Sequence, residues 1–201
     1  MSIPAIPTRL AHRPTHAGRV VPYITACHLD RPEWGTNHPQ RLAEVLAHRL
    51  CQICGTALDG SVRTVVYARP ADFALGVAPE PGMHPECAAY AHQACPMLAA
   101  LADHYSRTPW QPCDQPGCGC RDWKPPRPTG HPRLGAPAET WYAVWMHARD
   151  YHLTEHRPTG VIGPELAARS IVRVRKLREA SIADPQTRHL DILLALHDLY
   201  R

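Results

Sequence analysis

Two short cysteine and histidine pairs constrain this chain more than anything else in it. Cys51-Gln-Ile-Cys54-Gly55 sets two thiols two residues apart, and His84-Pro85-Glu86-Cys87 repeats the spacing with an imidazole and a thiol after a gap of 29 residues. The first spacing lets consecutive thiolates reach one tetrahedral ion from a tight turn, for which Gly55 supplies the positive φ. In the second, Pro85 suits a first helical position, so His84 and Cys87 lie one turn apart at a helix start and can face the same ion. The gap reads as a strand and a loop, enough to carry the chain back. Cys51, Cys54, His84 and Cys87 are therefore the expected zinc ligands, with Cys95 the competitor for the place of His84. Four protein ligands close a zinc site, and a closed site contributes folding energy and leaves no position for a reacting water.

The thiols are expected to be available for metal. Among 201 residues there are 8 Cys and 14 His, and the first residues, MSIPAIPTRLAHRP, have no apolar core of a secretory signal. No stretch approaches the roughly 20 apolar residues of a membrane span, so a cytoplasmic chain with reduced cysteines is expected. A hydrophobic fraction of 44% excludes wholesale disorder, and this length suits one domain, or one plus an appendage.

Charge is uneven. The net of +4 includes a net of −3 over residues 51–106, where Arg63 and Arg69 face Asp59, Asp72, Glu80, Glu86 and Asp103. Nucleic-acid binders concentrate positive charge where phosphate docks, and here the expected metal module is acidic. Lys124 and Lys176 are the only lysines, so the arginine excess reads in part as the signature of a high-GC genome.

Residues 1–19 read as a flexible N-terminal arm. In the zinc-binding module over 20–106, a strand is expected at 20–27, loop at 28–38, a helix from Pro39 and a strand over 62–68. Loop follows to residue 82, then a helix from Pro85 that breaks before Pro96 and resumes in MLAALADHYS. Residues 107–139, rich in Pro and Gly, read as an insert or linker. In the last segment, 140–201, WYAVWM alternates as a strand, Pro158-Thr159-Gly160 is a turn, and Ile171–Val174 reads as a strand with a helix in PELAARS as the alternative. A helix follows Pro185, and the segment is expected to pack on the module. The fold class expected is α+β, a small mixed domain around the metal site.

Weaker constellations remain. Cys113, Cys118 and Cys120 lie near His131 in sequence, with Cys27 and His28 as candidates for approach in space, and form a second candidate zinc site of unusual spacing. Reactive thiols in a loop are the alternative. His152-Leu-Thr-Glu155-His156 matches the H-x-x-E-H string of zinc metallopeptidases, but it has little room for a long helix, and His12 and His16 show that pairs four apart arise by chance. Trp110 and Trp123 with Arg107, Arg121, Lys124, Arg127 and Arg133 suit stacking on single-stranded nucleic acid, docking to a protein, or folding back onto the domain. A second basic cluster is Arg169, Arg173, Arg175, Lys176 and Arg178.

The order of cysteine turn, extended chain and ligand-bearing helix resembles the treble-clef zinc finger. LCQICG, MHPECAAYAHQACP, WYAVW and VRVR, in that order, resemble a family of actinobacterial and actinophage proteins across residues 20–105 and 140–178. The resemblance implies a cytosolic zinc-binding protein and brings no established activity. The expected role is a non-enzymatic interaction or regulatory protein, of a high-GC bacterium or its phage, with a protein partner. Nucleic-acid binding is the alternative, and a metallopeptidase comes third.

Overall fold

The structure, a computed structural model, describes residues 4–107, 111–116, 118–123 and 133–199. Its architecture is mixed α+β: four helices and several small antiparallel sheets around one apolar core. The principal sheet has three strands in the order β5-β6-β9, with β5 Arg63–Ala68, β6 Trp141–His147 and β9 Ile171–Arg178. The register runs Val66↔Val144↔Val174, so β-branched side chains pack in a row across the sheet. Nearly all of β5 and β6 is buried, so apolar side chains occupy both faces of these two strands. Tyr67 donates to the Ala88 carbonyl of helix α3 (Pro85–Ala94). From the other parity of the sheet, Tyr142 meets Phe73 of α2 (Pro70–Leu75) edge-on and donates to Asp191 of α4 (Pro185–Leu199). The sheet thus joins a strand from before the Pro-rich segment with two from after it.

Helix starts follow the prolines. Pro39, Pro70, Pro85 and Pro185 each open a helix, α1 being Pro39–Ala47. Their fixed φ suits the first turn, where the missing N–H has no partner to lose. At α4 the Asp184 carboxylate also accepts the backbone N–H groups of Gln186 and Thr187.

Several expectations change. Part of the arm expected over 1–19 packs on the module: Leu10 is fully buried, Arg9 pairs with Glu86 on α3, and the adjoining Val20 donates its N–H to the Tyr90 hydroxyl. A small hairpin, β1 (Thr15–His16) with β2 (Arg19–Val20), lies within it. The expected loop at 28–38 is a second hairpin, β3 (Thr25–His28) with β4 (Arg31–Asn37), turned through Leu29 and Asp30, both at positive φ. The loop expected after Ala68 contains α2, which starts at Pro70 and stops at Gly76 with φ 70°. The resumed helix in MLAALADHYS does not form. Pro96 cannot extend α3, and the buried Arg178 takes up the carbonyls of Met97 and Ala102 through its guanidinium instead. Residues 168–170 make one 3₁₀ turn ahead of β9, which replaces the alternative helix. No helix among the described residues is long and apolar enough to cross a membrane.

Candidate metal centre

The strand and helix just described bring Cys51, Cys54, His84 and Cys87 together. Their ligand atoms lie within 4.8 Å of one another, and all four residues are at most 2% exposed. The first pair sits in a turn closed by Gly55 N–H to the Cys51 carbonyl at 2.8 Å and by Cys51 N–H to the Thr56 carbonyl at 2.8 Å. Gly55 takes φ +79°, and a Cβ there would stand 2.7 Å from Cδ2 of Tyr23. Strain in the left-handed region costs roughly 1–2 kcal/mol before any clash. Gly55→Ala is accordingly expected to destabilise by more than that, read as a lowered denaturant midpoint with an unchanged slope.

The second pair is delivered by pairing rather than by local turn chemistry. Met83 exchanges both backbone hydrogen bonds with Val65 of β5, at 2.9 and 2.8 Å. Buried Gln52 ties the cysteine turn to the same approach, donating its backbone N–H to Gly82 O at 3.1 Å and its side-chain amide to Pro81 O at 2.6 Å. His84 is therefore fixed immediately before Pro85 starts α3, and Cys87 lies one turn on.

The orientation of His84 is informative. Its Nε2 is 3.1 Å from the Ala57 carbonyl, which can only accept, so Nε2 carries a proton and Nδ1 is the ring nitrogen left to face an ion. Nδ1 faces Cys54 Sγ at 3.4 Å. For tetrahedral zinc, bond lengths of about 2.3 Å to sulfur and 2.0–2.1 Å to nitrogen place such a pair about 3.5 Å apart. Two further groups support the turn from outside: the Thr56 hydroxyl meets Cys54 Sγ at 3.1 Å, and His12 Nε2 donates to the Cys54 carbonyl at 3.0 Å. His12, half of a chance pair in sequence, thus has a structural role through the packed N-terminal segment.

Mutual polarisation concentrates negative charge on Cys54. Hydrogen bonds from Cys51 and then Cys87 hold the Cys54 thiol far below its ordinary range, and Cys87 is driven upward by the same contacts, Cys51 first. Burial disfavours a charged His84, but hydrogen bonding and charge from Cys51 and Cys54 outweigh it and push the imidazole up to about 10. Buried thiolate needs a positive partner, and a divalent cation supplies one at the centre of the cluster. Cys95, the competitor for the fourth place, stands outside this cluster, half-buried against the core at the C-terminal end of α3.

A second cluster joins His28 of β3 to Cys113, Cys118 and Cys120, again with ligand atoms within 4.8 Å of one another. His131, expected there, lies outside the described residues. Cys27 is not in the cluster, and its thiol points to the Thr25 carbonyl at 3.8 Å.

The remaining motifs resolve differently. His152 precedes, and Glu155 and His156 lie in, strand β7 (Leu153–His156), paired with β8 (Val161–Pro164). In a strand, positions four apart are separated by about 13 Å, so this segment lacks the helix face on which two histidines share zinc. His156 Nδ1 instead meets the Thr159 hydroxyl at 2.8 Å. Gly163 of β8 is required by close approach, since a Cβ there would stand 1.8 Å from Ala78 O. Of the second basic cluster, Arg169 pairs with Glu165, Lys176 with Glu179 and Asp191, and Arg178 is buried on backbone carbonyls, whereas Arg173 and Arg175 are exposed. Trp123 folds back, its ring 5.7 Å from that of His38 and 6.4 Å from that of His28. Arg133 pairs with Glu139, and Trp110, Lys124 and Arg127 lie outside the described residues. In comparisons with known proteins, the chain matches no family model, no curated protein and no solved structure.

Proposed function

We propose that Cys51, Cys54, His84 and Cys87 hold one zinc ion in a structural, treble-clef-like site, and that the chain is a non-enzymatic interaction or regulatory protein of the cytoplasm built on that scaffold. The observation that carries the reading is the burial of all four ligands together with the His84 Nε2 bond to Ala57, which leaves Nδ1 for the ion. Three thiolates and one imidazole are a donor set that zinc prefers, and with four protein ligands no position remains for substrate or water. A protein partner is favoured by apolar side chains left in solvent: Ile192, Leu193 and Leu196 on α4 are 55%, 50% and 45% exposed, and Trp34 on β4 is 51% exposed. The kinship suggested by the sequence, with actinobacterial and actinophage zinc proteins, belongs to the same proposal.

Metal analysis of the purified chain, wild type against Cys54→Ser, tests the zinc site: the wild type is expected to hold zinc, and the variant, whose fold depends on the ion, to lose it. The second reading, nucleic-acid binding, is favoured by the exposed Arg173 and Arg175 on edge strand β9. Binding through phosphate contacts weakens steeply with salt, so it is strongest near about 50 mM salt. The interaction reading expects no retention on immobilised single-stranded DNA or RNA under that condition. Retention that disappears in Arg173→Ala/Arg175→Ala would replace it with the nucleic-acid reading.

A further inference from the structure

We infer that His28, Cys113, Cys118 and Cys120 form a second zinc site, independent of the first, which pins the Pro- and Gly-rich segment onto the β3–β4 hairpin. Three observations converge. The donor set is the same as in the first cluster, three thiols and one imidazole, with ligand atoms within 4.8 Å of one another. Cys113 and Cys120 Sγ stand 3.5 Å apart, close to the roughly 3.8 Å edge that two zinc–sulfur bonds of about 2.3 Å subtend at a tetrahedral ion. The Cys113 backbone N–H points at Cys120 Sγ at 3.3 Å, a donor placed to stabilise thiolate charge. Finally, Nε2 of His28 is buried with no hydrogen-bond partner among the described residues. A buried imidazole nitrogen left without a partner is costly, and a metal bond removes that cost.

The segment itself explains why an ion belongs there. Between Tyr105 and Ala138, Cys120 is the one core side chain among the described residues, so apolar burial contributes little to holding this stretch. The three cysteines come from that stretch, and His28 ends a strand of the hairpin. An ion bound by all four therefore cross-links two parts of the chain far apart in sequence. It also sets Trp123, three residues past Cys120, against the rings of His28 and His38. The cysteine spacing, four residues and then one, matches no usual ligand pair, and the fourth ligand comes from a distant strand, so the site is assembled by tertiary structure alone.

The ligands differ from the first cluster in exposure: His28, Cys113 and Cys118 are half-buried and Cys120 is buried. A chelator is therefore expected to remove this ion first. The test is elemental analysis of the full chain purified under reducing conditions, together with titration by Co(II), whose bands report thiolate ligation. Wild type is expected to hold two equivalents. His28→Ala and Cys118→Ser are each expected to hold one, with the cooperative thermal transition retained, because the first cluster is untouched. If either variant fails to fold, the other and the wild-type Co(II) end point at two equivalents carry the test. A wild-type end point of one, or two equivalents persisting in both variants, would overturn the inference. One equivalent accompanied by the loss of two titratable thiols would also overturn it, in favour of a Cys113–Cys120 disulfide. Cys54→Ser, which is expected to unfold the chain and with it both sites, bears on the earlier proposal and does not test this one.

Discussion

Cys54→Ser, or wild-type chain with a strong chelator in excess, is expected to lose its cooperative thermal transition by circular dichroism. The expected magnitude exceeds anything a surface change produces. Structural zinc in small finger peptides binds with an apparent free energy of about 10–16 kcal/mol, which is folding free energy because the unfolded chain has no preformed site. A domain's net stability is roughly 5–15 kcal/mol, so losing most of that contribution leaves the unfolded state favoured. The effect should spread well beyond the cluster. Cys51, Cys54 and Cys87 are themselves core residues, in one contiguous group with Leu58, Val65, Met83 and Val144. Cysteine binds zinc as thiolate and histidine as neutral imidazole, so protons compete with the ion and the melting temperature should fall as pH is lowered. A chain that keeps its transition while holding no metal would remove the structural-zinc reading.

Asp72→Ala is expected to destabilise the chain by about 3–5 kcal/mol, the usual cost of leaving one member of a buried ion pair alone. Here the member left alone is Arg69. Its guanidinium holds Asp72 through two parallel bonds, Nε to Oδ2 at 2.9 Å and Nη2 to Oδ1 at 2.6 Å, with side-chain exposures of 7% and 1%. Asp72 also accepts the Arg69 backbone N–H at 2.8 Å, which caps α2. Without Asp72 the cation keeps, among the described residues, the Glu139 contact at 3.4 Å and the face of Trp141, 5.4 Å from the ring centroid, with Glu80 attracting it by charge alone. None of these satisfies the inner edge of the guanidinium. Chemical denaturation should show the loss as a lowered midpoint, with metal content unchanged. An effect under about 1 kcal/mol would place this pair with exposed bridges, which contribute that little.

What was legible beforehand followed from local chemistry. Pro39 and Pro85 open helices because their fixed φ suits a first turn wherever it occurs. Gly55 adopts a positive φ because the cysteine turn demands it. The apolar runs of β5 and β6 are strands because both faces are covered. Pro70 and Gly76 offered the same punctuation for α2, but six residues with no apolar period to support them read as loop. The β3–β4 hairpin was hidden by Pro32 and Gly35, residues that usually break strands and are tolerated here in a two-stranded sheet.

By itself the sequence determined the α+β class, the helix starts at Pro39, Pro85 and Pro185 and the first set of convergent candidate ligands, since each depends on residues within a turn of one another or on one short return of the chain. Only the tertiary structure decided that Leu10 joins the core, that Arg178 is spent on carbonyls and that β6 lies between β5 and β9. It likewise decided that His28 meets Cys113, Cys118 and Cys120. Such pairings join residues tens of positions apart, and strand register and loop closure between them leave no period in the sequence to read.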